Sequence, residues 1–270
     1  MPQTIHLVFD LGGTLVFDPF DETIARLLRP PLRQKLHAGL IPEVVDDFVD
    51  RWKRENTEFN FRFASHFLQE EVWIARAAWA AYDAGKVVST KLYPIWSTEL
   101  LSTYRAVALD VIANQPHLPD LRHALSVAKK RGYVLMVASN DRFFSTIAML
   151  DVAGIRRYFN RVLTSEQLSF TNAGAEKPSP LFFDTLHKEI GLQFEVSRIF
   201  YLGDDETRDI CSIQDLPMRS VRFFGNPSSS KSWLDNSQNT QAKLSYSNYA
   251  ELAALINDNA FEGLRTDARG

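Results

Sequence analysis

The stretch HLVFDLGGTLV, His6–Val16, decides how the chain folds. Leu7, Val8 and Phe9 run without a polar break and stop at Asp10, after which Gly12 and Gly13 mark a tight turn. An apolar run bounded by turn signals is the pattern of a strand buried on both faces. Asp10 therefore stands where a strand gives way to a loop, the rim at which open parallel sheets bind ligands. As a mere turn former it would be redundant, because the two glycines already satisfy the turn.

Working outward, apolar runs recur at Ile5–Phe9, Val134–Ala138, Arg161–Thr164, Ile199–Leu202 and Arg219–Phe223. Between them lie stretches with helical spacing: Leu118–Arg131 before Gly132, Phe143–Val152, and Pro180–Ile190 before Gly191. Strands alternating with helices predict an α/β fold with a Rossmann-like parallel sheet covered on both faces. The interval from Asp18 to Ala113 breaks the rhythm, reading as helix after helix. It holds Trp52, Trp73, Trp79 and Trp96 with Phe48, Phe59, Phe61, Phe63 and Phe67, enough aromatic surface for a small core. We therefore expect a core built from residues 1–17 and 114–270 and an all-helical cap subdomain at 18–113. Asn226–Asn248, rich in Ser and Asn, reads as a surface loop, and YAELAALI after it as a short helix.

Composition narrows the partners. Hydrophobic residues at 45% and charged residues at 23% describe a globular chain rather than a disordered one. A net charge of −3 gives no global field to gather nucleic acid or an anionic membrane, so any anion must be bound locally. The single cysteine, Cys211, rules out an internal disulfide and reads as a packed, inert residue. No apolar run is long enough to span a membrane, and the start has no basic flank leading into a long apolar segment, so a cytoplasmic, soluble protein is expected.

The other strand ends supply company for Asp10. Ser139 and Asn140 follow the second run; Lys177 precedes a helix expected to start around Pro178; and GDDETRD after Ile199–Leu202 brings Asp204, Asp205, Glu206 and Asp209. A carboxylate able to act as nucleophile, a hydroxyl, a lysine and an acidic cluster suit a magnesium-dependent site for phosphoryl groups. Each has a bland reading. Ser139 serves equally well as N-cap of a helix beginning near Arg142, Lys177 alone reads as an exposed lysine, and the acidic run favours any helix N-terminus. Yet four carboxylates this close repel one another unless a cation answers them. His37, His66, His117, His123 and His187 show no metal-ligand spacing. Arg33, Arg51, Arg54 and Arg62 read as solvated positions of the insertion.

VFDLGGTL, VLMVASN, EKPSPLFF and IFYLGDDETRD, in that order, resemble the four motifs of the haloacid dehalogenase superfamily, most of whose members are phosphatases. The superfamily's type with a helical cap inserted after the first motif resembles this chain too. The resemblance implies that Asp10 is the nucleophile and a Mg2+ ligand, and that Asp204 and the Gly12 carbonyl are further ligands. It also implies that Gly13, Thr14, Ser139, Asn140 and Lys177 line the phosphoryl site, with Lys177 and Ser139 catalytic. Asp209 would support the metal or orient Lys177, and Asp205 is a further candidate to support the metal. The implied substrate is a small phosphorylated molecule, with no nucleic acid or membrane partner, bound by a monomer or homodimer.

One residue departs from that pattern. Phosphatases of the superfamily carry at the position of Gly12 an aspartate that protonates the leaving oxygen and then activates water. Four readings follow: a phosphatase with a surrogate acid such as Asp18, Asp21 or His66, or with a leaving group that needs no proton; another hydrolase of the superfamily; a silent binder of a phosphorylated ligand; or a structural scaffold. Within the second reading, Asp204, Asp205 and Asp209 speak against a metal-free dehalogenase, whereas Lys35, Lys53, Lys86 and Lys91 are available to a phosphonate hydrolase without any matching local motif.

Overall fold

The computed structural model describes residues 4–27, 29, 93–171, 176–191, 198–225 and 240–264. The chain divides into two compact units, Met1–Asp18 with Ala113–Gly270, and Pro19–Ile112. The first is built on a six-stranded, all-parallel sheet. Its strands are β1 (His6–Phe9), β2 (Val134–Ser139), β3 (Arg161–Thr164), β4 (Ile199–Gly203), β5 (Arg219–Phe223) and β6 (Leu244–Tyr246), in the order β3-β2-β1-β4-β5-β6. The strand order reverses beside β1. Such a switch point opens a crevice at the strands' carboxyl ends, which is where Asp10 sits.

Why these runs become strands is visible in their register. Leu7 and Phe9 lie opposite Leu135 and Val137 on one side and Phe200 and Leu202 on the other, forming apolar rows across three strands. Alternate residues point to the opposite face, where Val8, Met136, Ala138, Leu163, Ile199 and Tyr201 pack on Phe182, Phe183, Leu186 and Ile190. Both faces are buried, so the runs are apolar without alternation.

The helices of this unit are α3 (Leu118–Lys130), α4 (Phe143–Val152), α5 (Ser165–Thr171), α6 (Pro180–Gly191), α7 (Tyr249–Asn257) and α8 (Ala260–Gly263), preceded in the chain by α1 (Phe20–Leu27) and α2 (Tyr93–Ala113). Helix α3 ends at Gly132, whose φ of 80° is the left-handed conformation that glycine supplies without strain. Helix α6 begins at Pro180, where the helical spacing starts, and two residues beyond Pro178. The polar stretch 226–248 is not loop throughout, because its last residues form β6 on the free edge of β5. A three-residue strand carries too few side chains to display a period, and pairing with β5 makes it a strand.

Within the second unit, Arg26 of α1 pairs with Glu22 one turn earlier, at 2.9 Å, and with Asp110 of α2 at 2.6 Å. Among the described residues of the insertion there is helix and no strand. The four tryptophans and five phenylalanines named above, His66, the four arginines and Lys35, Lys53, Lys86 and Lys91 lie outside the residues or side chains described. No helix among the described residues is long and apolar enough to cross a membrane.

Candidate active site

Asp10 continues the β1 ladder, its N–H donating to the Leu202 carbonyl at 2.8 Å. Its register neighbour on β4 is therefore Gly203, and that glycine decides what can reach the carboxylate. A Cβ at Gly203 would lie 2.3 Å from the Asp209 Cβ and 2.4 Å from its carboxyl carbon. The missing side chain is the space that Asp209 fills. From there Asp209, 1% exposed, accepts from Lys177 Nζ at 2.8 Å, while the same ammonium donates to Asp10 Oδ1 at 2.5 Å.

Lys177 is held from behind. Asn140, at the end of β2, accepts from the Lys177 N–H at 2.8 Å and donates to the Lys177 carbonyl at 3.0 Å. Both ends of that amide are thus engaged with Lys177 backbone, and the Asn140 carbonyl accepts from Ser165 at 2.8 Å. The ammonium also lies 5.7 Å from the Tyr201 ring centroid. Sequence reasoning placed Asn140 against the phosphoryl group; here its side chain acts on the lysine.

Electrostatics follow from burial. Burial raises the Asp10 carboxyl well above the ordinary carboxylate range; Asp209 and Asp204 push the same way, and Lys177 opposes them. Burial also works against the Lys177 charge, but Asp10 and Asp209 outweigh it and hold the ammonium well above the ordinary lysine value. Asp10, Asp204 and Asp209 each offer one carboxylate oxygen, all within 4.8 Å of one another. Three clustered carboxylates, of which two pair with the one lysine, leave an excess of negative charge, and oxygen donors in that number suit a small hard dication. The residues present therefore fit magnesium.

The acidic run is divided by its fold. Asp205 caps the turn that follows β4, accepting from the Arg208 N–H at 2.8 Å. Glu206 turns away from Lys177 and pairs with Arg222 of β5, accepting also from Thr240 Oγ1 at 2.7 Å and from the Gln241 N–H at 2.8 Å. Residues 206–210 form a π-helical turn followed by a 3₁₀ turn at 211–213, not an amphipathic α-helix. For that reason the expectation for Cys211 fails: Ile210 and Ile213 face inward and the cysteine is exposed.

The loop after Asp10 is tight. Gly13 has φ 79° and donates from its N–H to Val16 O at 2.8 Å. The Leu15 and Val16 N–H groups both donate to Leu11 O at 2.9 Å. Thr14 is fully buried, and its Oγ1 donates to Asp204 Oδ1 at 3.4 Å. Ser139 accepts from the Asp141 N–H at 3.1 Å and does not cap α4, whose N-cap position is Arg142 and whose first N–H is taken by Glu166 at 2.9 Å. Gly203 and the Asn140 clamp were missed from sequence. A glycine directly before an acidic pair at the end of a buried strand was the available signal for the first.

Known proteins resemble this chain in sequence and in fold. A family model described as a haloacid dehalogenase-like hydrolase matches residues 6–215. The chain is 26% identical over 201 residues to a phosphoglycolate phosphatase of Haemophilus influenzae, covering 73% of this chain and 76% of that protein. Among solved structures it resembles a 2-haloacid dehalogenase of Pseudomonas syringae, with TM-score 0.57 and 17% identity over 94% of this chain and 99% of that one. It resembles equally in coverage the HAD-hydrolase YfnB of Bacillus subtilis, solved bound to magnesium, with TM-score 0.50 and 16% identity. At such identities the structures speak to the fold, whereas the family model spans most of the chain and all four motifs. The chain belongs to the haloacid dehalogenase-like hydrolases.

Proposed function

We propose that the protein is a magnesium-dependent phosphatase of a small phosphorylated molecule, working through an aspartyl phosphate on Asp10. The observation that carries this reading is the cluster of Asp10, Asp204 and Asp209, two of them buried and paired with Lys177 and the third half-buried beside them, a set of charges that suits a divalent cation. The relative that dephosphorylates phosphoglycolate supports the substrate class. We further assign 18–113 as a helical cap, on the two helices described there.

Lys177 engages Asp10 Oδ1, so attack on phosphorus falls to the other carboxylate oxygen. That oxygen forms the new P–O bond as the bond to the leaving oxygen breaks, and water later cleaves the aspartyl phosphate to inorganic phosphate and free Asp10. Lys177 and the Ser139 hydroxyl would hold the phosphoryl oxygens during both steps. Asp10, Asp204 and the Gly12 carbonyl would hold the magnesium, supported by Asp209; when bound there it supplies positive charge to the transferring group. Gly12 offers no proton to the leaving oxygen, which favours acyl or aryl phosphates, whose leaving groups depart as stable anions.

Gly12 also favours a second reading, a binder of phosphorylated ligands without turnover. One experiment separates them: release of inorganic phosphate from alkyl, aryl and acyl phosphates, with and without magnesium, beside Asp10→Asn. Release that requires both magnesium and Asp10 and is fastest for acyl and aryl phosphates supports the phosphatase. No release from any compound, with phosphorylated ligands still raising the melting temperature, supports the binder.

A further inference from the structure

The C-terminal segment reaches the metal side of the site through a single hydroxyl. Within the loop after Asp10 the turn bonds use the carbonyls of Leu11 and Val16. The buried Thr14 carbonyl is instead taken by the hydroxyl of Tyr249, 235 residues further along the chain. Thr14 Oγ1 in turn donates to Asp204 Oδ1. One end of α7 is thereby linked through one threonine to a metal-side carboxylate.

Tyr249 is well placed to hold that link. It is the first residue of α7, whose start is fixed by two side-chain bonds: Asn248 accepts as N-cap from the Glu251 N–H at 2.9 Å, and the Glu251 carboxylate accepts from the Ser247 N–H at 2.6 Å. Its ring is wedged among His117, Phe223 and Tyr246, at centroid distances of 5.4, 5.2 and 6.3 Å. Burial, with smaller contributions from Tyr246 and the Asp204 charge, keeps the phenol protonated and therefore a donor. Neighbouring Tyr246 is as deeply buried, yet its hydroxyl has no hydrogen-bond partner among the described residues. The same cluster thus holds one tyrosine that makes the link and one that does not.

We propose that Tyr249 is a positioning residue for magnesium: its hydroxyl fixes the Thr14 carbonyl, and Thr14 fixes the Asp204 carboxylate. The inference rests on the magnesium reading above. Without the hydroxyl, a buried carbonyl is left without its donor, and the loop must tilt to find another, carrying Thr14 Oγ1 away from Asp204.

The test is direct binding of Mn2+, followed by electron paramagnetic resonance with Mg2+ competition, in the full chain and its variants. Thr14→Val is expected to weaken binding about 10-fold, the low end for residues that orient a metal ligand, and Tyr249→Phe, one contact further out, about 5-fold. The double variant is expected to lose no more than Thr14→Val alone, because both break one chain of contacts. Tyr246→Phe should bind like the parent. If Tyr249→Phe does not fold, Asn248→Ala, which loosens the first turn of α7 and leaves the ring intact, takes its place with the same expected direction.

Three outcomes overturn the proposal, each differently. A parent that binds no metal sinks the magnesium reading and this inference with it. Binding lost in Asp204→Asn but unchanged in both Tyr249→Phe and Thr14→Val removes the relay alone. Equal weakening in Tyr246→Phe and Tyr249→Phe assigns the effect to packing of the aromatic cluster.

Discussion

Gly12 and Gly13 are neighbours with opposite constraints. Gly13 occupies the left-handed region and its turn depends on it, whereas Gly12 does not, and a Cβ there would meet nothing within 4 Å. An aspartate therefore fits at position 12 without strain. Gly12→Asp is expected to raise kcat on alkyl phosphates by about 100-fold, the lower range for general acid–base assistance, with the protein still folded. Steady-state kinetics on alkyl and acyl phosphates check this, and an equal gain on both would argue against proton donation as the missing step. At this scale Asp10, Lys177, Asp204 and Asp209 were legible because each follows a strand or heads a helix. The direction each acidic side chain takes was not: Asp209 crosses Gly203 to Lys177, while Glu206 turns to Arg222. Such choices depend on which neighbouring strand offers space or a counter-charge, and no local pattern encodes that.

Glu206 and Arg222 join the turn after β4 to β5 and to the segment that leads into β6. Both side chains are buried, with Arg222 also 5.0 Å from the Phe224 ring centroid. Removing the carboxylate by Glu206→Ala takes the counter-charge from a buried guanidinium and releases Thr240 and the Gln241 N–H. The expected cost is about 3–5 kcal/mol, read from urea unfolding, with faster amide exchange at 241–246. A cost below about 1 kcal/mol would place the pair among surface-like ion pairs. Elements were legible in proportion to length and burial. The five longer strands and helices such as Phe143–Val152 announce themselves by unbroken apolar runs or helical spacing. The edge strand β6 and the π-helical turn at 206–210 do not, because pairing with β5 creates the first and capping by Asp205 shapes the second.

Across the whole molecule, burial of titratable groups makes stability depend on pH in opposing directions. Burial lowers the His117 pKa from the ordinary value of 6.5, opposed by its hydrogen bond to Leu15 O. Between the folded and unfolded values the unfolded chain holds a proton that the folded chain does not. This contribution is therefore intact above 6.5 and declines as pH falls towards the folded value. Asp10 acts the other way: its raised pKa means the folded chain binds the proton more readily, so metal-free stability gains as pH falls through that value. Comparison with His117→Phe isolates the histidine. Urea midpoints of metal-free protein at about pH 8 and about pH 5.5 should show the parent's advantage over the variant shrinking towards acid. An advantage independent of pH would mean that His117 acts here by packing alone. What the sequence by itself determined was the parallel α/β sheet, the helical character of the insertion's ends and the strand-end placement of the chemical groups, because these follow from local apolar periodicity and turn residues. Only the tertiary structure decided that Asn140 clamps Lys177, that Gly203 makes room for Asp209, and that Tyr249 meets Thr14. Those contacts join residues far apart in the chain, and they exist only once the parallel strands have brought their carboxyl ends together.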